Sequence, residues 1–218
     1  MDYRTISAAL APLGLLARGG FRPEAEDGLP EGIKTAVMVG NAGPDLWQVF
    51  ARARRDEPDA MNRWTREVLD VLAADLGATA AYPFDGPPWF PFQRWAQGAE
   101  PVFPSPIGIL IHPRYGLWHA YRGVLLFDTV VEGVPERETL ASPCESCFNK
   151  PCLSTCPVDA FGADTYDVPA CADHLRKADG RDCLELGCRA RRACPVGVES
   201  RYLPEQAEFH MRAFRASH

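Results

Sequence analysis

The placement of the cysteines constrains this chain more than any other feature of its sequence. All eight cysteines lie between Cys144 and Cys194, and none precedes Cys144. They form a close run and a looser one, and each run ends in a Cys-Pro pair: Cys144, Cys147, Cys152 and Cys156-Pro157, then Cys171, Cys183, Cys188 and Cys194-Pro195. Clustered cysteines of this kind in a cytosolic chain indicate metal binding rather than disulfide bonds.

The two runs predict two [4Fe–4S] clusters. A close run supplies three thiolates from one loop, and in two-cluster ferredoxins the fourth cysteine of the run, before a proline, ligates the other cluster. By that rule no cysteine is left over: one cluster binds Cys144, Cys147, Cys152 and Cys194, and the other binds Cys156, Cys171, Cys183 and Cys188. Four residues separate Cys147 from Cys152, where such ferredoxins have two, so this loop must bulge.

Structural zinc is the main alternative, and disulfides are a lesser one. Zinc also binds four thiolates and the Cys-x-x-Cys knuckle, but the chain has only one such knuckle, at Cys144 and Cys147. A zinc site also has no need of a proline after its last cysteine. The spacing therefore favours iron–sulfur clusters over zinc.

Composition excludes some other classes. The 218 residues, 46% of them hydrophobic, suffice for one substantial domain with a small module. The net charge of −6 makes nucleic acid an unexpected partner, because phosphate binding needs a basic surplus. No apolar run approaches the roughly 20 residues of a membrane span, and Asp2 stands where a signal peptide carries positive charge. We therefore expect a cytoplasmic protein without membrane contact.

The cysteine-free part alternates strand and helix patterns, which predicts an α/β (α+β) domain. The predicted elements are an N-terminal helix followed by a turn and a strand, a strand at Thr35–Gly40, helices starting at Asp45 and Asp59, a strand at Ala78–Phe84, an aromatic loop at Gly86–Trp95, and a hairpin of Ile107–His112 with Leu117–Phe127. Polar residues and prolines from Val130 to Pro143 mark a boundary. The expected organisation is a domain at 1–140, a cysteine module at 141–200 and a tail at 201–218.

The cysteine module resembles that of the epoxyqueuosine reductase family. The segments Cys156–Phe161 and Asp167–Leu175, with the isolated Cys171 ahead of a short helix, carry this likeness. It implies a cobalamin-binding domain of flavin-reductase or nitroreductase-like fold, followed by a ferredoxin-like module with two [4Fe–4S] clusters. It also implies that Asp85 is the catalytic acid. Because the sequence ends at His218, we expect no C-terminal region of the kind that holds tRNA in that family.

A second segment resembles the hairpin of the cobalamin C type B12-processing family. The likeness covers Leu110–Leu126 and includes His112-Pro113-Arg114, Gly116, Trp118, Arg122 and Gly123. That family has the flavin-reductase-like fold and binds cobalamin. The resemblance implies that His112, Trp118 and Arg122 contact a cofactor.

These observations predict an iron–sulfur redox protein whose clusters pass electrons to a corrinoid or flavin, or to a partner, at the first domain. One alternative is a simple ferredoxin-type electron carrier that works with a redox partner protein. Another is a B12-binding or B12-processing protein in which the cluster module is structural.

Overall fold

The computed structural model describes residues 1–162 and 165–218. The helices are α1 (Tyr3–Leu10), α2 (Asp45–Ala53), α3 (Ala60–Asp75), α4 (Phe92–Ala99), α5 (Pro151–Ser154), α6 (Val168–Arg176), α7 (Arg181–Leu186), α8 (Arg189–Arg192) and α9 (Pro204–Ser217). The strands are β1 (Leu16–Phe21), β2 (Thr35–Ala42), β3 (Thr79–Ala81), β4 (Phe103–Pro104), β5 (Leu110–Ile111) and β6 (His119–Phe127). The chain thus has a mixed α/β architecture, as predicted. Among the helices of these residues, none combines the length and the apolar composition of a membrane span.

The residues group into two compact units. The first contains Met1–Pro101 and His119–Leu140, and the second contains Val102–Trp118 and Ala141–His218. This grouping differs from a simple division at residue 140 in one segment, because Val102–Trp118 belongs with the cysteine-bearing residues. The tail predicted at 201–218 is also part of the second unit, where α9 occupies most of it.

The first unit is built on an antiparallel sheet with the strand order β1-β2-β6-β3. β2 lies inside this sheet, and its residues from Thr35 to Asn41 are all buried, as the continuous apolar run predicts. Helices α1 to α4 pack on the strands. The buried residues Met61, Trp64 and Leu69 fall on one face of α3, so apolar burial holds this helix in place.

The interior of the first unit also holds a buried ion pair. Arg18 in β1 is 2% exposed and lies 2.5 Å from a carboxylate oxygen of Glu100. Its Nη1 donates to the backbone carbonyl of Asn41 at 3.2 Å, and its Nη2 lies 3.3 Å from Nδ1 of His119. Tyr121 donates its hydroxyl to the same carboxylate. These partners compensate the cost of burying the guanidinium.

The second unit has short helices and small interior clusters. Ile107, Ile111 and Leu117 pack with Ala190 and Cys194 in one of them. In another, Leu175, Cys183 and Leu184 pack against Met211 and Phe214 of α9. Several members of this interior are therefore cysteines rather than large apolar side chains.

Several predicted elements are confirmed, and others are wrong in part. The strand at Thr35, the helices starting near Asp45 and Asp59, and the N-terminal helix and strand are all present. The predicted strand Ala78–Phe84 is reduced to β3, and the aromatic loop ends in helix α4.

The predicted hairpin is wrong. Of its first strand only β5 forms, and β5 pairs with β4, whereas β6 pairs with β2 and β3. Only an isolated bridge joins His112 to Gly116, because a tight turn at this point ends the pairing.

Candidate metal-cluster sites

Three cysteines of the first run and the last cysteine of the second run line one cavity in the second unit. Cys144, Cys147, Cys152 and Cys194 all contribute to the wall of this cavity. The rest of the wall consists of Ser105, Pro106, Ile107, Ile111, Leu117, Pro143, Lys150, Pro151, Pro195 and Val196. These four cysteines are the set assigned to one cluster by the crossing rule, in which the cysteine before a proline ligates the other cluster.

The local backbone explains how the first run folds around this cavity. Helix α5 starts at Pro151, where a proline is tolerated because the first helical N–H has no acceptor, and it carries Cys152. Lys150, just before it, has left-handed backbone dihedrals of φ 35° and ψ 60°. The four-residue bulge predicted between Cys147 and Cys152 is therefore closed by one left-handed residue and one helical turn.

A close backbone contact fixes the turn that follows Cys194. A Cβ atom added to Gly116 would lie 1.9 Å from the carbonyl oxygen of Val196, and one added to Gly197 would lie 2.2 Å from the carbonyl carbon of Tyr115. Both glycines also have positive φ angles. Only glycine fits at either position, and the segment before β6 thereby holds the end of the second cysteine run.

Burial raises the pKa of three thiols in the first group, those of Cys144, Cys152 and Cys194. For Cys144 the raised pKa comes first from burial and then from the neighbouring thiols of Cys194 and Cys152, while a hydrogen bond from Ser142 opposes it. Burial likewise raises the pKa of Cys194, and the backbone N–H of Val196 opposes the shift by donating to its sulfur. The thiols are thus close enough to repel one another when ionised, and backbone N–H groups point at their sulfurs.

The other four cysteines form a second group. Cys156 ends the first run, Cys171 lies in α6, Cys183 lies in α7, and Cys188 precedes α8. Burial raises the pKa of Cys188 to about 11, and the neighbouring thiols of Cys183 and Cys171 contribute to the rise. Burial and the thiols of Cys156 and Cys183 raise the pKa of Cys171 in the same way. This group is the set that the crossing rule assigns to the other cluster.

Backbone and hydroxyl donors also surround the second group. The N–H of Ala160 donates to Sγ of Cys156 at 3.3 Å. The N–H groups of Arg191 and Ala190 donate to Cys188, and Tyr166 hydrogen-bonds the thiol of Cys171. Such donors stabilise thiolates, which is the form in which cysteine binds metal.

A single metal ion and a cubane cluster require different spacings of the sulfur ligands. Within residues 1–162 and 165–218, no three His, Cys, Asp or Glu side chains converge closely enough to hold one metal ion. A tetrahedral zinc site needs sulfurs about 2.3 Å from one metal, and therefore in near contact with one another. In a cubane each thiolate binds a different iron, so the four sulfurs stand farther apart around a larger core.

The arginines of the second unit are mostly engaged in fixed contacts. Arg189 and Arg192 both pair with Asp182, and Arg191 donates to the carbonyl of Leu117 through Nε at 2.9 Å. Arg191 also lies over the rings of Trp118 and Tyr202, at 4.6 and 4.5 Å from their centroids. These contacts lock α8 to the segment that precedes β6.

The residues predicted to serve a cofactor do not all lie in one unit. Two of them, Asp85 and Arg122, lie in the first unit. Asp85 lies in the first unit, accepts from the backbone N–H of Tyr82 at 3.1 Å and forms an ion pair with Arg66. Arg122, also in the first unit, donates through Nε to Oδ1 of the buried Asn41 at 3.2 Å. The roles predicted for Asp85 and Arg122 stay predictions.

The other two predicted cofactor contacts lie in the second unit. Nδ1 of His112 accepts from the backbone N–H groups of Arg114 and Tyr115 at 3.0 and 3.2 Å, which stabilises the turn there. Trp118 is 2% exposed and packs edge-on against Tyr202. Their cofactor roles also stay predictions, and both side chains have clear structural roles.

Two neighbours of the cysteines were missed by sequence reasoning. Ser105 lines the cavity of the first group, and Tyr166 contacts the second group. Ser105 stands 39 residues before Cys144, so nothing in its local pattern points to the cysteines. Tyr166 lies between Cys156 and Cys171, and this position was the one available signal.

The fold is similar to solved structures of two kinds of protein. Epoxyqueuosine reductase from Streptococcus thermophilus matches with a TM-score of 0.55 at 14% identity, over 89% of this chain and 65% of that one. The enzyme from Bacillus subtilis matches with a TM-score of 0.55 at 16% identity, over 94% and 69%. The B12-trafficking protein CblC from C. elegans matches with a TM-score of 0.51 at 15% identity, over 97% and 95%.

These matches confirm the two resemblances seen in the sequence, and at such low identity they concern the fold alone. The chain spans 65% of the length of the Streptococcus thermophilus reductase. No protein-family description matches the sequence, and no curated protein matches it either.

Proposed function

We propose that this chain is an iron–sulfur redox protein whose second unit holds two [4Fe–4S] clusters. The observation that carries the proposal is the cavity walled by Cys144, Cys147, Cys152 and Cys194. The remaining cysteines interact as a second set of four, so the eight thiols divide as two cubane clusters require.

The side chains and backbone around the clusters would have three tasks. The cysteines would bind iron as thiolates, and binding would release protons from thiols such as those of Cys144 and Cys188, whose pKa is raised by burial. Backbone N–H groups such as those of Ala160 and Val196 would neutralise part of the negative charge on sulfur. Apolar residues such as Ile107 and Leu117 would keep water from the first cluster. The clusters themselves would supply one-electron transfer.

The first unit would provide the acceptor site. Its resemblance to the reductases and to CblC supports a flavin-reductase or nitroreductase-like domain that takes a corrinoid or a flavin. Within this unit Arg122 is the candidate contact to that cofactor, and Asp85 is the candidate acid. The small-molecule substrate would then be reduced with electrons that pass through the second unit, whose fold would be ferredoxin-like.

The first experiment is iron and acid-labile sulfide analysis after anaerobic purification, with visible spectra before and after dithionite. About eight iron and eight sulfide per chain, with a broad absorption near 400 nm that bleaches on reduction, is the expected result. Additional sharp bands would identify a corrin or a flavin. Stoichiometric zinc without this absorption would overturn the proposal.

A B12-binding or B12-processing protein with a structural cluster module is the second candidate. The near-complete mutual coverage with CblC, 97% of this chain and 95% of that one, favours it. Added cobalamin distinguishes the two functions. If the clusters are redox-active, dithionite-reduced protein freed of excess reductant will reduce bound cob(III)alamin, whereas a structural module will bind the corrinoid without transferring electrons. A protein that reduces a partner but binds neither corrinoid nor flavin would be a simple electron carrier.

A further inference from the structure

Ser105, which lines the cavity of the first cysteine group, carries a hydroxyl that is unpaired among the described residues. Oγ of Ser105 is buried and, within the described part of the chain, has no hydrogen-bond partner. The backbone of the same residue is fully engaged, because its N–H donates to the carbonyl of Ile109 at 3.1 Å and its carbonyl accepts from Gly108 at 3.0 Å. The tight turn therefore fixes Ser105 at the cavity wall and leaves only its hydroxyl unpaired.

The other hydroxyls of the first run differ from Ser105 in this respect. Ser146 donates to the carbonyl of Pro143 at 3.3 Å, and Thr155 donates to that of Pro151 at 2.6 Å. Ser142 accepts from the N–H of Cys144 at 3.3 Å and also hydrogen-bonds the thiol of that residue. Each of these hydroxyls therefore has a partner, whereas the hydroxyl of Ser105 has none in the residues that the structure describes.

The chemistry of the wall limits what the Ser105 hydroxyl can meet. A buried hydroxyl without an acceptor is costly, so a partner is expected. A trapped water needs two to four polar partners, whereas this wall is made of proline and aliphatic side chains apart from the four thiols, Ser105 itself and the exposed Lys150. Among the side chains of this wall, the four thiols are therefore the acceptors within the cavity.

We propose that Ser105 is a positioning residue that donates its hydroxyl to a sulfur of the first cluster and thereby raises the reduction potential of that cluster alone. The inference rests on the proposed function, because the acceptor is a cluster sulfide or a cluster-bound thiolate. Hydrogen bonds to sulfur stabilise the reduced, more negative state. The donor comes from Val102–Trp118, a segment without cysteines, so it is supplied from outside the sequence of the cysteine module.

The test is a redox titration of the holoprotein followed by electron paramagnetic resonance. We expect Ser105→Ala to lower one of the two midpoint potentials and to leave the other unchanged, with iron content intact. Ser105→Thr keeps the hydroxyl and should restore the potential. Ser146→Ala is the matched control, because it removes a hydroxyl beside Cys147 that is already bonded to a backbone carbonyl, and it should shift neither potential. The signal of the first cluster is assigned as the one missing in Cys194→Ala.

A second readout detects the hydrogen bond directly. After exchange into D2O, electron–nuclear double resonance of the wild-type first cluster should show a deuteron coupling that Ser105→Ala lacks and Ser105→Thr retains. Unchanged potential and unchanged coupling in Ser105→Ala would overturn the inference while the proposed function stands. If Ser105→Ala loses iron, recovery in Ser105→Thr supports the hydroxyl, and loss in both variants overturns its role. A wild-type protein without iron and sulfide would instead be a failure of the proposed function.

Discussion

The first unit completely buries Val37 and Met38 of its four-stranded sheet and Leu69 of helix α3. Helix α3, the longest helix of this unit, has 16 residues. In the second unit, α5, α7 and α8 have only four to six residues, and cysteines occupy much of the interior. Helices of this length are not stable on their own in water, and tertiary contacts must hold them. The comparison teaches that the first unit has an apolar core of its own, whereas in the second unit cysteines occupy positions that large apolar side chains fill in the first.

Removal of the metal should have the largest effect and should separate the two units. Anaerobic treatment with a chelator and an oxidant should abolish amide protection in α5 to α8, because cluster binding replaces the missing apolar core. Protection in β2 and β6 should persist. Hydrogen exchange followed by mass spectrometry measures both segments in one sample. Equal protection with and without iron in α5 to α8 would show that the second unit folds without clusters.

Disruption of the buried ion pair should be the largest single-residue effect in the first unit. Arg18→Met leaves the carboxylate of Glu100 buried without its cation, which should lower the free energy of unfolding by about 3–5 kcal/mol. Urea denaturation measures the loss. Iron content should stay unchanged, because neither residue belongs to the second unit.

An exposed ion pair of the same unit provides the control for Arg18→Met. Arg55 and Glu67 are 69% and 54% exposed at their side chains, so Arg55→Met should cost at most about 1 kcal/mol. A similar decrease in the free energy of unfolding in both variants would mean that the buried Arg18 pair stabilises the first unit no more than the exposed Arg55 pair does.

Truncation of Phe214 should have a smaller effect that is confined to the second cysteine group. The ring of Phe214 stacks on Tyr166 with 6.2 Å between the ring centroids. It also packs against the buried side chains of Leu175, Cys183 and Leu184. Because the side chain is only partly buried, Phe214→Ala should cost about 1–3 kcal/mol and broaden the resonance of one cluster. Arg215→Ala, a change at the next residue of the same helix, is the control. Loss of signal from both clusters would contradict a local role for α9.

The difference between the units also explains what sequence could predict. The apolar run of β2 and the spacing of α3 are local patterns, and both elements lie where those patterns placed them. The cysteine spacing suggested two groups of four, and the pairwise electrostatic interactions follow the same division.

Contacts between distant segments could not be predicted in this way. The predicted hairpin failed because β5 belongs with β4, and its two strands fall in different units. Ser105 has no sequence signal because its role depends on a turn that brings it to cysteines far along the chain. The cysteine pattern ends at Cys194 and predicts only a tail at 201–218, whereas in the structure Met211 and Phe214 of α9 pack against Leu175, Cys183 and Leu184.

The smallest expected effect concerns Lys150, where backbone strain and charge meet at the wall of the first cavity. A left-handed conformation costs an L-residue about 1–2 kcal/mol, and glycine avoids this cost but loses more entropy on folding. Lys150→Gly should therefore raise the free energy of unfolding by less than about 1 kcal/mol, whereas Lys150→Ala should not raise it. Both variants should lower the potential of the first cluster slightly, and more at low than at high salt, because the ammonium is exposed. Denaturation and redox titration of the two variants thus separate strain from charge. A glycine variant no more stable than the alanine variant would show that the bulge at Lys150 is not strained.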